Sequence, residues 1–206
     1  PSEYEHPFQQ RVKDVVCSTQ MLREPGHVLV GFSGGADSTA LLLTLRATAA
    51  VPVKAVHLNH NLRGAESEKD EDWCRQFCSD RAIPFESEAL HIPQQRKQGE
   101  NLEAAARRCR IAAWKRRATP HTAVALGHHE DDRLEDFFLR LGRGANVSGL
   151  TGLRPVRSIG SLRIIRPLLP FNREELEAYL RDKGVTDWRL DSTNRDTAFR
   201  RNAVRH

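Results

Sequence analysis

This chain lacks the marks of a secreted, membrane-bound or metal-stapled protein. Only four cysteines occur in 206 residues. They are Cys17, Cys74, Cys78 and Cys109, and no CxxC is found anywhere, which argues against a disulfide framework and against zinc or iron–sulfur ligation. Cys74 and Cys78 lie on one turn of a predicted helix, a spacing that reads as packing. No run of about 18 apolar residues is present, so a membrane-spanning helix is not expected, and the first apolar stretch is too short and too charged for a secretory leader. The first residue is Pro1 rather than methionine, so the natural start is expected to lie upstream. A reducing, cytoplasmic compartment fits this cysteine usage.

What is there is an ordinary globular composition, 39% hydrophobic and 29% charged, in a length that suits one domain or one domain with a small appendage. Charge is unevenly distributed. Residues 1–153 are neutral overall, with 20 basic and 20 acidic side chains. Residues 154–206 hold 12 basic against 7 acidic groups, and so the whole net charge of +5. All but one of those basic residues are arginines, whose planar forks suit phosphate and nucleic acid. We therefore divide the chain into an expected nucleotide-binding domain, 1–153, and a basic C-terminal extension, 154–206.

The most informative stretch is His27 to Leu45, HVLVGFSGGADSTALLLTL. It predicts a buried strand from Val28 to Phe32, a tight turn SGGADS from Ser33 to Ser38, and an apolar helix starting near Asp37. Such a unit aims backbone N–H groups and the positive end of a helix at one point, which suits a phosphate. Gly34 and Gly35 permit close approach and positive φ, and Ser33 and Ser38 supply hydroxyls. Asp37 would repel phosphates unless a cation lay between them, so it reads as a Mg²⁺ ligand. The lysine that ends a Walker A loop is missing. Cleavage between the α and β phosphates of a nucleotide fits this loop better than γ-phosphoryl transfer. The plainer reading, a tight turn with a capped helix, would suffice for a bare SGG but not for the full pattern.

Further strands are predicted at Val53 to Leu58, Pro84 to Leu90 and Ala123 to Leu126. Helices are predicted from Phe8 to Met21, from Ser67 as a cap to about Arg81, from Asn101 or Glu100 through LEAAARRCRIAAWKRRA, and from Asp132 to Leu141. Gln94 to Gly99 reads as a polar loop. Alternation of strand and helix implies an α/β fold, a parallel twisted sheet with helices on both faces. The turns SGGADS, HLNH and GHH all follow strand C-termini, where such sheets bind ligands. After Gly142 a Gly-rich loop is expected, then a strand within Arg163 to Leu169, a helix from Arg173 to Lys183, and a polar, Arg-rich tail folding back on the site.

These segments, in this order, resemble the PP-loop ATP pyrophosphatase superfamily, whose fold is of the adenine nucleotide alpha hydrolase type. Within it they are similar to the tRNA(Ile)-lysidine synthases. The resemblance rests on SGGADS, HLNHNLRGAES at His57 to Ser67, EAAARRCR at Glu103 to Arg110, GHHEDDRLED at Gly127 to Asp136, RPLLPF at Arg166 to Phe171, and DSTN with RRNAVRH between Asp191 and His206. Asp136 and Ile111 depart from the family pattern. The resemblance implies ATP and Mg²⁺ as cofactors. It implies adenylation of the wobble cytidine of a tRNA(Ile) with a CAU anticodon, and displacement of AMP by free L-lysine. It also implies a homodimer. Further tRNA-binding domains, common in the family, are expected to be absent from this length. The alternatives are a related tRNA thiolase, which needs paired cysteines, another PP-loop adenylating enzyme, and a nucleotide or tRNA tether without chemistry, in which carboxylates beside phosphates would serve no purpose.

Roles follow. Ser33, Gly34, Gly35, Asp37 and Ser38 would hold the β and γ phosphates with Mg²⁺. His57, Leu58, Asn59, Gly127 and His128 would line the nucleotide site, although His57 is almost as well explained as a satisfied core histidine. Asp132 and Glu135 share a helix face and could hold and deprotonate the lysine ammonium, although acidic residues also favour helix starts for their own sake. Arg107, and less clearly Arg110, would face the phosphates from the long helix. Arg140 and Arg143 would guide the anticodon, and Arg201, Asn202 and Arg205 would clamp phosphate or the tRNA backbone. His128, His129 and the neighbouring acids, including Asp131, also admit a metal as a second reading.

Overall fold

A computed structural model describes residues 6–61, 64–142 and 152–189. Among these residues the chain runs α1 (Pro7–Ser18), β1 (His27–Gly31), α2 (Ala36–Thr48), β2 (Val53–Asn59), α3 (Ala65–Ser79), β3 (Phe85–Ala89), α4 (Ile92–Gln95), α5 (Leu102–Arg117), β4 (Thr122–Ala125), α6 (Glu130–Leu141), β5 (Val156–Ile159), β6 (Leu162–Ile165) and α7 (Arg173–Asp182). The strands form one sheet in the order β3-β2-β1-β4-β6-β5. All neighbours are parallel except β5, which pairs antiparallel with β6 at the edge.

The sheet is covered on both sides, as the near-continuous apolar runs of β1 and β4 require. On one face α1, α2, α3 and α7 bury Val12, Leu41, Leu42, Phe77, Leu176 and Leu180 against Val28, Val30 and Phe32. On the other face Trp114 of α5 packs on Leu29, Val56 and Val124. The order reverses about β1 and β4, and the turns after these strands flank the crevice where ligands of open α/β sheets sit.

Local chemistry explains the element starts. His6 precedes α1, with its ring Nδ1 accepting from Phe8 N at 3.1 Å while Gln9 returns a bond to His6 N. Asn101 caps α5 by accepting from Ala104 N at 2.7 Å, and Asn172 and Glu175 form a reciprocal box at the start of α7. Three expectations need correction. Ser67 is not a cap: α3 starts at Ala65 after Gly64 at φ +51°, and Ser67 is buried within the first turn. Ile92 begins a short helix whose last two residues, Gln94 and Gln95, were expected in the polar loop, and Ile92 packs against α5. The strand expected at Arg163 to Leu169 starts at Leu162, ends at Ile165 and has a hairpin partner, β5.

Candidate active site

The glycine turn is built from the inside by its own hydroxyls. Ser38 Oγ donates to Gly35 C=O at 3.0 Å, accepts from Ser33 N at 3.2 Å and lies 3.1 Å from Ser33 Oγ. Thr39 Oγ1 also donates to Gly35 C=O, at 2.9 Å. As at any helix start, the first-turn N–H groups of α2 have no intrahelical carbonyl to meet, and the helix presents its positive end to the turn. Gly34 alone needs left-handed backbone, at φ +82°; Gly35 has φ −70°, so positive φ is not its reason. A Cβ on Gly34 would also strike Arg189, Cys74 and Trp73 at 3.0–3.1 Å, whereas one on Gly35 would meet only ordinary contacts at 3.6 and 3.8 Å.

The strand β4 delivers the second turn directly onto the first. A Cβ on Gly127 would lie 3.1 Å from the backbone of Asp37 and Ser38, so any larger residue would push the two turns apart by a few tenths of an ångström. This brings His129 to Asp37. His129 is 2% exposed, with Nε2 3.6 Å from Asp37 Oδ2 and 3.5 Å from Asp132 Oδ2. Its Nδ1 is 3.1 Å from Asp131 Oδ2 but out of line for a hydrogen bond. Burial opposes the charged imidazolium. The nearby carboxylates of Asp37, Asp132 and Asp131 outweigh it, and the His129 pKa is raised above the ordinary histidine value.

Asp132 accepts from His129 N at 3.1 Å and so closes the start of α6, the local role that acidic residues favour there. Glu135, one turn on, is 6% exposed. Phe171 C=O accepts from Glu130 N at 2.8 Å, and Arg173 N donates to Asp131 at 3.2 Å, so the RPLLPF turn buttresses the acidic helix start. Asp37 Oδ1 is buried and accepts no hydrogen bond among the described residues. That orphaned oxygen fits a Mg²⁺ ligand, because Mg²⁺ carried on phosphates keeps most of its shell from water and phosphate and needs one or two protein carboxylates. No group of three or more His, Cys, Asp or Glu side chains arranged for a resident metal occurs among the described residues, so the second reading of the histidine pair finds no support in the geometry.

The residues after β2 are already engaged. His57 Nδ1 bonds Phe32 C=O at 2.9 Å, and burial, only partly offset by that carbonyl and by Glu71 and Asp70, lowers its pKa. Asn59 donates to Glu71 and to Ser67 C=O and accepts from Asn61 N, which shapes the turn. Leu58 packs partly buried between the α5 clusters. Arg107 and Arg110 are exposed on α5, and it is Arg108 between them that pairs with Glu100. Arg140 pairs with Asp136 at 2.8 Å. Arg143, Arg201, Asn202 and Arg205 lie outside the described residues.

Two arginines that spacing did not single out reach the crevice. Arg189 donates its backbone N–H to Gly34 C=O at 2.9 Å and its Nε–H to Asp70 at 2.6 Å, while Trp73 Nε1 donates to Asp187 at 3.4 Å. The start of the tail thus straps the glycine turn to α3. Arg166, directly after β6, lies against His128. The signal that could have found Arg166 is positional: like the glycine and histidine turns, it follows a parallel strand at its carboxyl end. Of the cysteines, Cys74, Cys78 and Cys109 are buried and Cys17 is exposed on α1. Burial pushes the Cys74 and Cys78 thiols up, Cys78 to about 12, far from reactive thiolates. No helix among the described residues is long and apolar enough to cross a membrane.

Comparison with known proteins gives the family and the fold. A family model described as a PP-loop domain matches residues 4–206. The tRNA(Ile)-lysidine synthase of Porphyromonas gingivalis is 41% identical over 95% of this chain and 43% of its own length. That of Geobacillus kaustophilus is 38% identical with the same coverages, and that of Bacillus subtilis is 35% identical over 94% of this chain and 42% of its own. The chain therefore spans less than half the length of these curated relatives. Among solved structures, the U34-tRNA thiolase NcsA of Methanococcus maripaludis, titled with its [4Fe-4S] cluster, superposes with TM-score 0.70 at 19% identity over 88% of this chain and 66% of that one. The NH3-dependent NAD synthetase of Campylobacter jejuni gives 0.56 at 18% identity, over 86% and 74%. At such identities the shared feature is the fold.

Proposed function

The chain belongs to the PP-loop domain family, and on that premise we propose that it ligates free L-lysine to C2 of the wobble cytidine of a CAU-anticodon tRNA(Ile). ATP adenylates the cytidine oxygen and pyrophosphate leaves; the ε-amine of lysine then displaces AMP. The names of its relatives support this substrate pair. The observation that carries the reading is the junction at Gly127, which sets the acid of the glycine turn and the acids of α6 around one histidine.

In this reading the free N–H groups at the start of α2, that of Ser38 among them, and the Ser33 hydroxyl bind the β and γ phosphates, while the Ser38 hydroxyl donates to Gly35 C=O and shapes the turn. Asp37 Oδ1 would hold Mg²⁺, which supplies neutralisation of the leaving diphosphate. Asp132 and Glu135 bind the lysine ammonium and take its proton, because only the neutral amine attacks. Arg107 faces the α-phosphate, and Arg140, Arg143, Arg201 and Arg205 contact tRNA. His57, Leu58 and Asn59 border the adenine through the backbone of their turn. The active form is a cytoplasmic homodimer.

The test combines protein, ATP, Mg²⁺, labelled lysine and a tRNA(Ile) transcript. AMP, pyrophosphate and label on the tRNA are expected, and Asp37→Ala abolishes pyrophosphate release. AMP-free reaction mixtures, or sulfur incorporation in place of lysine, would replace this reading.

A further inference from the structure

Arg166 is 5% exposed, yet among the described residues it forms no ion pair. Its Nη1 donates to Arg154 C=O at 2.8 Å and its Nε to His128 Nδ1 at 3.2 Å. Burial first, then the like charges of Arg157 and Arg107, depress its pKa, with Asp136 the opposing acid. A guanidinium nevertheless stays protonated in proteins and offers only donors. Burying such a cation without a carboxylate is costly, and that cost calls for a role.

We propose that Arg166 is a positioning residue that sets the tautomer of His128. Facing a donor, His128 Nδ1 has to be the acceptor, so the single proton of the neutral ring resides on Nε2. His128 follows Gly127, the residue packed on the Asp37 backbone. The turn beside the phosphate cradle therefore carries a neutral N–H donor at His128 next to the carboxylate-bound His129. Two adjacent histidines of the same type are given different surroundings: His129 lies among the acids Asp37, Asp131 and Asp132, and His128 donates to an anion such as a phosphoryl oxygen and takes no proton as a base. That last assignment rests on the nucleotide reading above, whereas the tautomer does not.

Nitrogen NMR on the ¹⁵N-labelled chain tests this, with His128 identified by the signals lost in His128→Asn. The expected result is a ring protonated at Nε2 and a scalar coupling across the hydrogen bond between Arg166 Nε and His128 Nδ1. A ring protonated at Nδ1, or an Nδ1 with no coupling to Arg166, overturns the proposal, and both are read on the wild-type chain, with His128→Asn serving only for assignment. In a folded Arg166→Gln protein a mixture of tautomers is expected. The kcat for tRNA-dependent AMP release should fall roughly tenfold, part of the ~10²–10³ that loss of a preorganised donor costs, with KM for ATP moving less. Retention of the pure Nε2–H form in that protein also overturns it. If AMP release is absent from the wild type, the function fails while the tautomer result stands, so the two are separable.

Discussion

Replacing the two glycines of the SGGADS turn separately by alanine should part the demands of the fold from those of the ligand. At Gly34 the backbone sits at φ +82°, which costs an L-residue about 1–2 kcal/mol. Its new methyl would press on Arg189 Cγ at 3.0 Å and on Cys74 and Trp73 at 3.1 Å, and overpacking of this kind adds about 1–3 kcal/mol. Gly34→Ala should therefore lose about 2–5 kcal/mol, and at about 2–4 °C per kcal/mol for a chain of this size its Tm falls clearly. At Gly35 φ is −70° and the methyl meets only Ser33 Oγ at 3.6 Å and Arg189 C=O at 3.8 Å. Losing a glycine N-cap costs up to about 1 kcal/mol, and a less flexible unfolded chain returns about 0.4–1 kcal/mol. Gly35→Ala should melt close to the wild type. It should nonetheless bind ATP at least about tenfold more weakly, equivalent to about 1.4 kcal/mol, because the unliganded protein itself gives no reason for glycine there. Thermal melts and ATP titration calorimetry on both variants read this out. A Gly35→Ala protein with wild-type ATP affinity would refute the placement of phosphates on this turn.

Gly127→Ala should cost about 1–3 kcal/mol and slow turnover more than melting predicts, because the backbone of Asp37 and Ser38 must retreat; melts paired with kcat at a temperature where both proteins are folded decide this. Asp70→Asn removes the Arg189 ion-pair partner and should raise KM for ATP while leaving kcat near wild type, as expected when a strap rather than a reacting group is loosened; an unchanged KM would mean the strap does not hold the turn. His57 gives the pH prediction. Its folded pKa lies below the ordinary 6.5, so the unfolded chain binds the proton first, and stability present above that value is lost as pH falls toward the folded pKa, at up to about 1.4 kcal/mol per pH unit. Urea melts at about pH 7 and about pH 5 should show a smaller acid loss in His57→Asn than in wild type; equal losses would show that His57 is not the group responsible.

The readable parts of this fold are those whose cause is local. A strand that is apolar throughout, a glycine turn and an apolar helix lie adjacent in the chain, and β1 and α2 form within one residue of where that pattern puts them. β5 was missed for an equally local reason. As an edge strand it keeps Arg157 and Ser158 exposed, so it shows no alternation, and the only cue was the two-residue Gly160-Ser161 turn, with Gly160 at φ +63°. Ser67 was read as a cap because serine favours caps, while Gly64, at φ +51°, had already supplied the turn.

The candidate site divides along the same line, and the division concerns what a side chain type can encode. Spacing identified Asp37, Asp132 and Glu135 as carboxylates near a phosphate turn, but not that Asp132 would bond His129 N or that His129 would reach Asp37 from the turn after β4, a strand far along the chain that pairs directly with β1. His57 and His128 read alike as turn histidines. One meets a carbonyl and the other a guanidinium, contributed by residues 25 and 38 positions away. The partner determines whether an imidazole nitrogen gives or receives a proton, and a parallel sheet takes its partners from distant strands. Chemistry at the crevice is therefore legible as residue type from the local pattern, and as protonation state only after the strand order is known.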